Sequence, residues 1–192
     1  MICFLKELIL HMNRNDEFEK SKITKVSTNK VACNVYFDAF SIEKVRFQNF
    51  NYTDKTSIDC YLDFEDVALL AADAASGRII KELEAGQKTL SMGGSKSSKN
   101  YNGSPESRII SLGRSGDKIF INMSRGKGKL GDKGQIMPDG SPDLKISVPM
   151  TIDKFRSMMI YIDNCICGYL PHMVNGIVKQ CIEDRKAASA NK

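Results

Sequence analysis

The chain predicts an α+β fold built from tandem ββββα repeats, giving two antiparallel sheets packed with helices and followed by a C-terminal helix. Two observations lead there. Short runs of alternating apolar and polar residues recur between turn-forming clusters, the mark of half-buried strands. In addition, Ile58 to Ala74 (IDCYLDFEDVALLAADA) and Ile146 to Ile162 (ISVPMTIDKFRSMMIYI) share one hydrophobic rhythm. Each begins with an apolar period of two, through Ile58, Cys60 and Leu62 or Ile146, Val148 and Met150, which then lengthens to three and four. That change of period is what a strand running directly into a helix produces. The match argues for an internal duplication.

In order along the chain, residues 1–21 are expected to be a flexible arm, polar from Met12 to Ser21. Residues 22–185 then form one domain of two repeats, 22–86 and 107–167. Lys22 to Val26 and Lys30 to Asp38 read as a hairpin around Ser27-Thr28-Asn29, and Lys44 to Tyr52 and Ser57 to Asp63 continue the alternation. The helix from Phe64 to about Glu84 has Asp63 as its expected cap, Glu65 and Asp66 in its first turn where the dipole favours negative charge, and Gly86 as its stop. Its run Ala71, Ala72, Ala74, Ala75 implies close packing.

Residues 87–106, rich in Gly, Ser, Lys and Asn, are expected to be a mobile linker. Arg108 to Gly113 and Lys118 to Ser124 then form a hairpin across Arg114 to Asp117, a Gly- and Lys-rich loop follows, a short strand lies near Gln135 to Met137, and Leu144 to Val148 enters a helix at Thr151. That helix is expected to run to about Cys167 and to be ended by Pro171, with a second amphipathic helix from Met173 to Arg185 and a disordered tail over 186–192.

A length of 192 residues is enough to bury a proper core, and a net charge of +5 favours an anionic partner without requiring one. The six cysteines (Cys3, Cys33, Cys60, Cys165, Cys167, Cys181) contain no CxxC pair, and Cys33 and Cys60 fall on inward strand positions. They read as reduced core residues of a cytoplasmic protein. The isolated His11 and His172 argue against zinc, and no cofactor site is expected. The opening MICFLKELIL is too short to span a membrane; it is either an extension upstream of a start at Met12 or a short helix docking on a partner subunit.

Two stretches imitate phosphate-binding loops. Gly126-Lys127-Gly128-Lys129-Leu130-Gly131 satisfies GxGxxG, but the chain continues through Asp132, Gly134 and Pro138 where a dinucleotide site needs a helix to open. Gly93-Gly94-Ser95-Lys96-Ser97 lacks the adjacent Gly-Lys-Ser of a Walker loop. No serine stands in a GxSxG turn, neither histidine suggests a triad, and Asp59 and Asp63, which alternate on a strand and could face one cleft, read better as solvated charges at a strand end. Nothing in the sequence argues for an enzyme.

The outward face of the strands carries more information. With Val31, Cys33, Val35 and Phe37 inward, Asn34 and Tyr36 point out; with Val45 and Phe47 inward, Lys44, Arg46, Gln48, Phe50 and Tyr52 point out; Tyr61 faces away on the next strand. In the second half Lys118, Phe120, Asn122 and Ser124 lie opposite Ile119, Ile121 and Met123, and Lys145 and Ser147 lie opposite Ile146 and Val148. Each sheet then has one aliphatic face packed on its helix and one that mixes rings with cations and amides. Rings offer stacking surface to unpaired bases and cations follow phosphates. The same rings equally suit packing against the other sheet or a second subunit. The loop from Ser124 to Lys133 adds Arg125, Lys127, Lys129 and Lys133 against a single acid, Asp132.

Two ββββα units joined by a linker and completed by C-terminal helices resemble the Whirly fold, and a single unit is similar to the single-stranded DNA-binding domain of positive cofactor four. Members of this group also occur in bacteriophages and mobile elements. The resemblance spans residues 22–185 and rests on order and rhythm. The plant Whirly motif KGKAAL lies early in the first repeat, whereas Lys127-Gly128-Lys129-Leu130 lies in the second and continues differently, so it is not carried over.

The resemblance implies a non-catalytic protein that binds single-stranded DNA without strong sequence preference, and assembles through its C-terminal helices as a homo-oligomer, a tetramer being favoured. On this reading Tyr36, Arg46, Phe50, Tyr52, Tyr61 and Phe120 stack or pair with bases, Lys44, Lys118, Arg125, Lys127, Lys129 and Lys145 hold phosphates, and Gln48 and Asn122 belong to the same nucleic-acid-binding face. The alternatives are RNA on the same fold, or an oligomeric scaffold using the aromatics for protein contacts.

Overall fold

The computed structural model describes residues 21–190. Expectations for residues 1–20, including His11, Cys3 and most of the arm, lie outside the described residues, as do the last two residues of the expected tail. The chain is α+β with two antiparallel sheets. In the first half, alternation places the strands well: β1 (Lys22–Ser27), β2 (Val31–Tyr36), β3 (Lys44–Asn51) and β4 (Thr56–Asp63) form a meander in the order β1-β2-β3-β4. The β1–β2 turn is fixed by Thr28, whose hydroxyl accepts from the backbone N–H groups of Lys30 (3.3 Å) and Val31 (3.2 Å).

Helix α1 (Phe64–Ser76) follows β4 with no residue between them. Asp63 makes no capping hydrogen bond; its carboxylate is paired with Lys44 instead. The single helix expected to reach Glu84 is two. Gly77 takes φ +77°, which a residue with a Cβ adopts only under strain, and α2 (Arg78–Glu84) starts beyond it. The bend is held by buried Asp73, paired with Arg78 and, at 3.4 Å, with Lys88.

The second half departs from expectation at its start. Lys88–Ser95, inside the expected linker, is strand β5, and it pairs with β6 (Glu106–Ser115). Within it Gly94 is required by a close neighbour: a Cβ there would stand 1.8 Å from the Glu106 carbonyl oxygen. The connection is ordered by a single 3-10 turn, Lys99–Tyr101. Strand β7 runs from Lys118 through Leu130, so the expected basic loop is largely strand; β8 (Ile136–Pro138) and β9 (Leu144–Thr151) complete the sheet, both pairing with β7. The hairpin between β6 and β7 closes at Ser115 and Lys118 around Gly116-Asp117. A Cβ on Gly126 would meet the Pro142 backbone at 2.9 Å, so the GxGxxG spacing serves strand packing.

The inner faces of both sheets merge in one core with the helices. Phe47, Ile121, Val148 and Phe155 are almost wholly buried, each contributing about 1.5–3 kcal/mol by leaving water. Helix α3 (Ile152–Ala190) supplies Phe155, Met158, Met159, Ile162 and Ile166 at helical spacing. It continues through Pro171, which neither ends it nor separates a second helix, and it stays helical into the expected tail as far as Ala190. A proline there removes the bond to the Cys167 carbonyl, and both residues are exposed. Tyr169 packs edge-on against Phe40 (centroids 5.2 Å apart) and Phe64 (6.3 Å), the last aromatic contact before the helix leaves the body. Among the described residues no helix is long and apolar enough to cross a membrane.

Candidate functional site

Register places the expected site residues in rows across the strands. On the outer face of the first sheet, Tyr36, Arg46 and Tyr61 are successive partners, and Lys25, Asn34, Gln48 and Asp59 form the next row. This row is closed by its own hydrogen bonds. Gln48 Oε1 accepts from Asn34 Nδ2 (3.3 Å) and Tyr36 Oη (3.2 Å), while Gln48 Nε2 donates to Asp59 Oδ1 (3.1 Å).

Arg46 is only 6% exposed, lies 4.0 Å over the Tyr36 ring, and donates to Asp59 (3.1 Å) and Asp38 (2.7 Å). Burial opposes its charge, but the hydrogen bond it donates to Asp38 and the charges of the two carboxylates outweigh burial and raise its pKa further. Tyr36 and Arg46 are therefore not the open, outward residues that alternation suggests. Asn34 is buried too, and Phe37, expected inside, is 47% exposed because β2 ends at Tyr36 and the chain turns away. Lys44 is engaged by Asp63. Tyr61 keeps a free surface at 42% exposure.

At the far end of the same sheet Phe50 and Tyr52 meet edge to face with centroids 5.3 Å apart, and Lys25 Nζ sits 5.5 Å from the Tyr52 ring centre. Tyr52 remains partly exposed.

The outer face of the second sheet is open. Thr89, Ser111, Asn122 and Ser147 form one row, Ile109, Ser124 and Lys145 the next, and Gly113, Phe120 and Pro149 a third. The first two rows line a depression of about 610 Å³ with Gln87 and Pro142, and none of its described lining residues is a carboxylate. Ser147 donates to Asn122 Oδ1 and Gln87 donates to Ser111, so the floor's polar groups are held in place. Lys118 and Lys145 are exposed, with no carboxylate partner among the described residues.

Arg125, Lys127 and Lys129 do not join this surface. They alternate with Gly126 and Gly128, which puts them on the opposite face of β7, where Arg125 pairs in register with Arg108 and Lys127 with Glu106. Lys127 also lies 3.7 Å from Asp139. Sequence reasoning missed Glu106, whose buried carboxylate accepts from Ser98 Oγ (2.8 Å), Asn100 Nδ2 (2.8 Å) and Arg108 (2.6 Å) and organises the β5–β6 connection. A lone acid in a Ser- and Asn-rich stretch carries no period to reveal it. Arg108 reaches on to the Asp59 carbonyl at 3.3 Å, tying the second sheet to the edge of the first.

Cys33 and Cys60 are buried free thiols, each pushed up to about 12, chiefly by burial. Among the described residues no group of His, Cys, Asp and Glu is arranged to hold a metal. Compared with family models, with curated proteins and with solved structures, the chain matches none.

Proposed function

We propose that this is a non-catalytic protein that binds single-stranded DNA along the outer face of its second sheet. The observation that carries the reading is the depression lined by Asn122, Ser124, Lys145 and Ser147, which offers amide and hydroxyl groups and a lysine beside apolar surface from Ile109, Pro142 and Ile146, and has no carboxylate among its described lining residues. Phe120 on the neighbouring row provides a ring for a base, with Lys118 beyond it as a phosphate contact. Neutral amides and hydroxyls serve any base, which suits binding that tolerates sequence. The first sheet contributes less in this reading, because Arg46 and Lys44 already have carboxylate partners.

The proposal includes self-association through α3. Its support is that Val174, Val178 and Ile182, four residues apart on the stretch beyond Tyr169, are each about half exposed. A helix that presents a regular apolar stripe to water gains by pairing with another copy.

Anisotropy of a labelled oligothymidylate at low salt tests the binding. Preference for the single strand over a duplex of equal length is expected, weakening as salt rises. Phe120→Ala is expected to lose roughly 1–3 kcal/mol of binding with its fold intact. Absence of binding, or equal affinity for duplex, overturns the proposal.

A further inference from the structure

A second depression, of about 550 Å³, lies beside the first along β9. Its described lining residues are Thr28, Asn29, Lys30 and Val31 of the β1–β2 hairpin tip, together with Pro149. Pro149 is the register partner of Phe120, so the ring proposed to stack a base is level with the β9 residue that lines the second depression. The tip belongs to the first sheet, and it is well held. Thr28 N donates to the Val31 carbonyl at 2.8 Å, the Thr28 hydroxyl accepts from the backbone N–H groups of Lys30 and Val31, and Tyr52 N donates to the Lys30 carbonyl at 2.9 Å. Lys30 is exposed there, with no carboxylate partner among the described residues. Tyr52 in turn leads to Phe50 and Lys25.

We infer that Lys30 is a phosphate contact bridging two stacking surfaces, so that one single strand runs from the Asn122–Lys145 groove past Phe120 and over the hairpin tip to the Tyr52–Phe50 pair. This rests on the single-strand reading above and extends it to a footprint spanning both sheets. The chemistry fits the path: two ring sites need a cation between them where the backbone crosses from one sheet to the other, and Lys30 is the cation at that crossing. A rigid tip also lowers the ordering cost of making the contact.

The test compares labelled oligothymidylates of about 5 and about 15 nucleotides, which bracket the lengths that single-strand-binding folds occupy. Lys145→Ala is expected to weaken both. Lys30→Ala is expected to weaken the longer by about 3- to 10-fold, to reduce its salt slope by about 0.7, and to leave the shorter unchanged. Lys30→Arg should restore the longer, and Lys30→Glu should weaken it further. An unchanged thermal midpoint in Lys30→Ala shows the tip intact, since its anchors are Thr28 and backbone groups. If the native protein binds neither length, the single-strand reading falls and this inference with it. If it binds both and Lys30→Ala leaves the longer unaffected, or weakens both equally, the bridge alone is overturned.

Discussion

The carboxamide of Asn49, wholly buried on the inner face of β3, donates to the carbonyl oxygen of Ile121 at 2.9 Å and to that of Ile146 at 3.0 Å. A side chain of the first sheet thus serves the backbone of two strands of the second, and the sheets are joined by a directional contact within an otherwise apolar core.

Removing the carboxamide takes a wholly buried donor from two carbonyls and leaves a void in a site water does not reach. Asn49→Ala is expected to destabilise the protein by about 1–3 kcal/mol. Asn49→Asp should cost more, because a carboxylate placed against two carbonyl oxygens must be protonated or displaced. Urea unfolding midpoints of the two variants check the order; an Asp variant as stable as native would contradict it.

Arg46 and Lys145 were both expected to contact DNA, and their surroundings separate them. Arg46 sits between Asp38 and Asp59, whose side chains are 34% and 27% exposed. Breaking a fully buried pair costs about 3–5 kcal/mol; with partly wet partners, Arg46→Ala should cost roughly 2–3 kcal/mol of stability. Lys145→Ala should leave stability unchanged and reduce single-strand affinity. Thermal melts and oligonucleotide titrations of the two variants are expected to give opposite profiles.

Glu106 makes the β5–β6 connection sensitive to acid. Burial raises its pKa, but hydrogen bonds from Asn100, Ser98 and Arg108, together with the Arg108 charge, outweigh burial and hold it below the usual value. A carboxyl lowered on folding stabilises the native state above its unfolded pKa, about 4.3 for glutamate, and that stabilisation is lost as pH falls through the lowered folded value. Glu106→Gln should therefore be less stable than native at pH 7, and the gap should narrow in acid. A difference that stays constant from pH 7 to pH 3 would show that charge plays no part.

Gly93 and Gly94 are adjacent and look interchangeable, yet only Gly94 is confined. It has φ +147°, and a Cβ there would collide with the Glu106 carbonyl, while a Cβ on Gly93 meets nothing within 4 Å. Gly94→Ala is expected to cost more than about 1 kcal/mol, and Gly93→Ala much less. Amide exchange across β5 and β6 should accelerate in the first variant alone.

That pair also shows where the sequence is legible. β2, β3, β4 and β9 each bury one apolar face, so Val35, Phe47, Cys60 and Val148 imprint a period of two that can be read directly. β5 is an edge strand with only Leu90 and Met92 among its large apolar residues, and its glycines answer to a backbone neighbour that pattern cannot reveal. The candidate site divides in the same way. Lys118, Phe120, Asn122 and Ser124 of β7 lie on the outer face as alternation requires. The closure of the first sheet's face depends on Asp38 and Asp59, whose approach to Arg46 is set by tertiary structure.

Beyond Tyr169, helix α3 carries Val174, Val178 and Ile182 at 52%, 50% and 48% exposure, although residues of this kind are usually inside. If they are the seam between copies, replacing all three with Ser removes the drive for association and leaves the body's core, anchored by Phe155, Met159 and Ile162, untouched. Sedimentation equilibrium should then give a lower mass for the triple variant, while its far-ultraviolet spectrum retains the sheet signal. Single-strand affinity per subunit for a short oligonucleotide should be preserved, since the second-sheet groove lies within one subunit. A triple variant with the native mass would place the contact between copies elsewhere or show that the native protein is a monomer, and the native mass itself distinguishes the two.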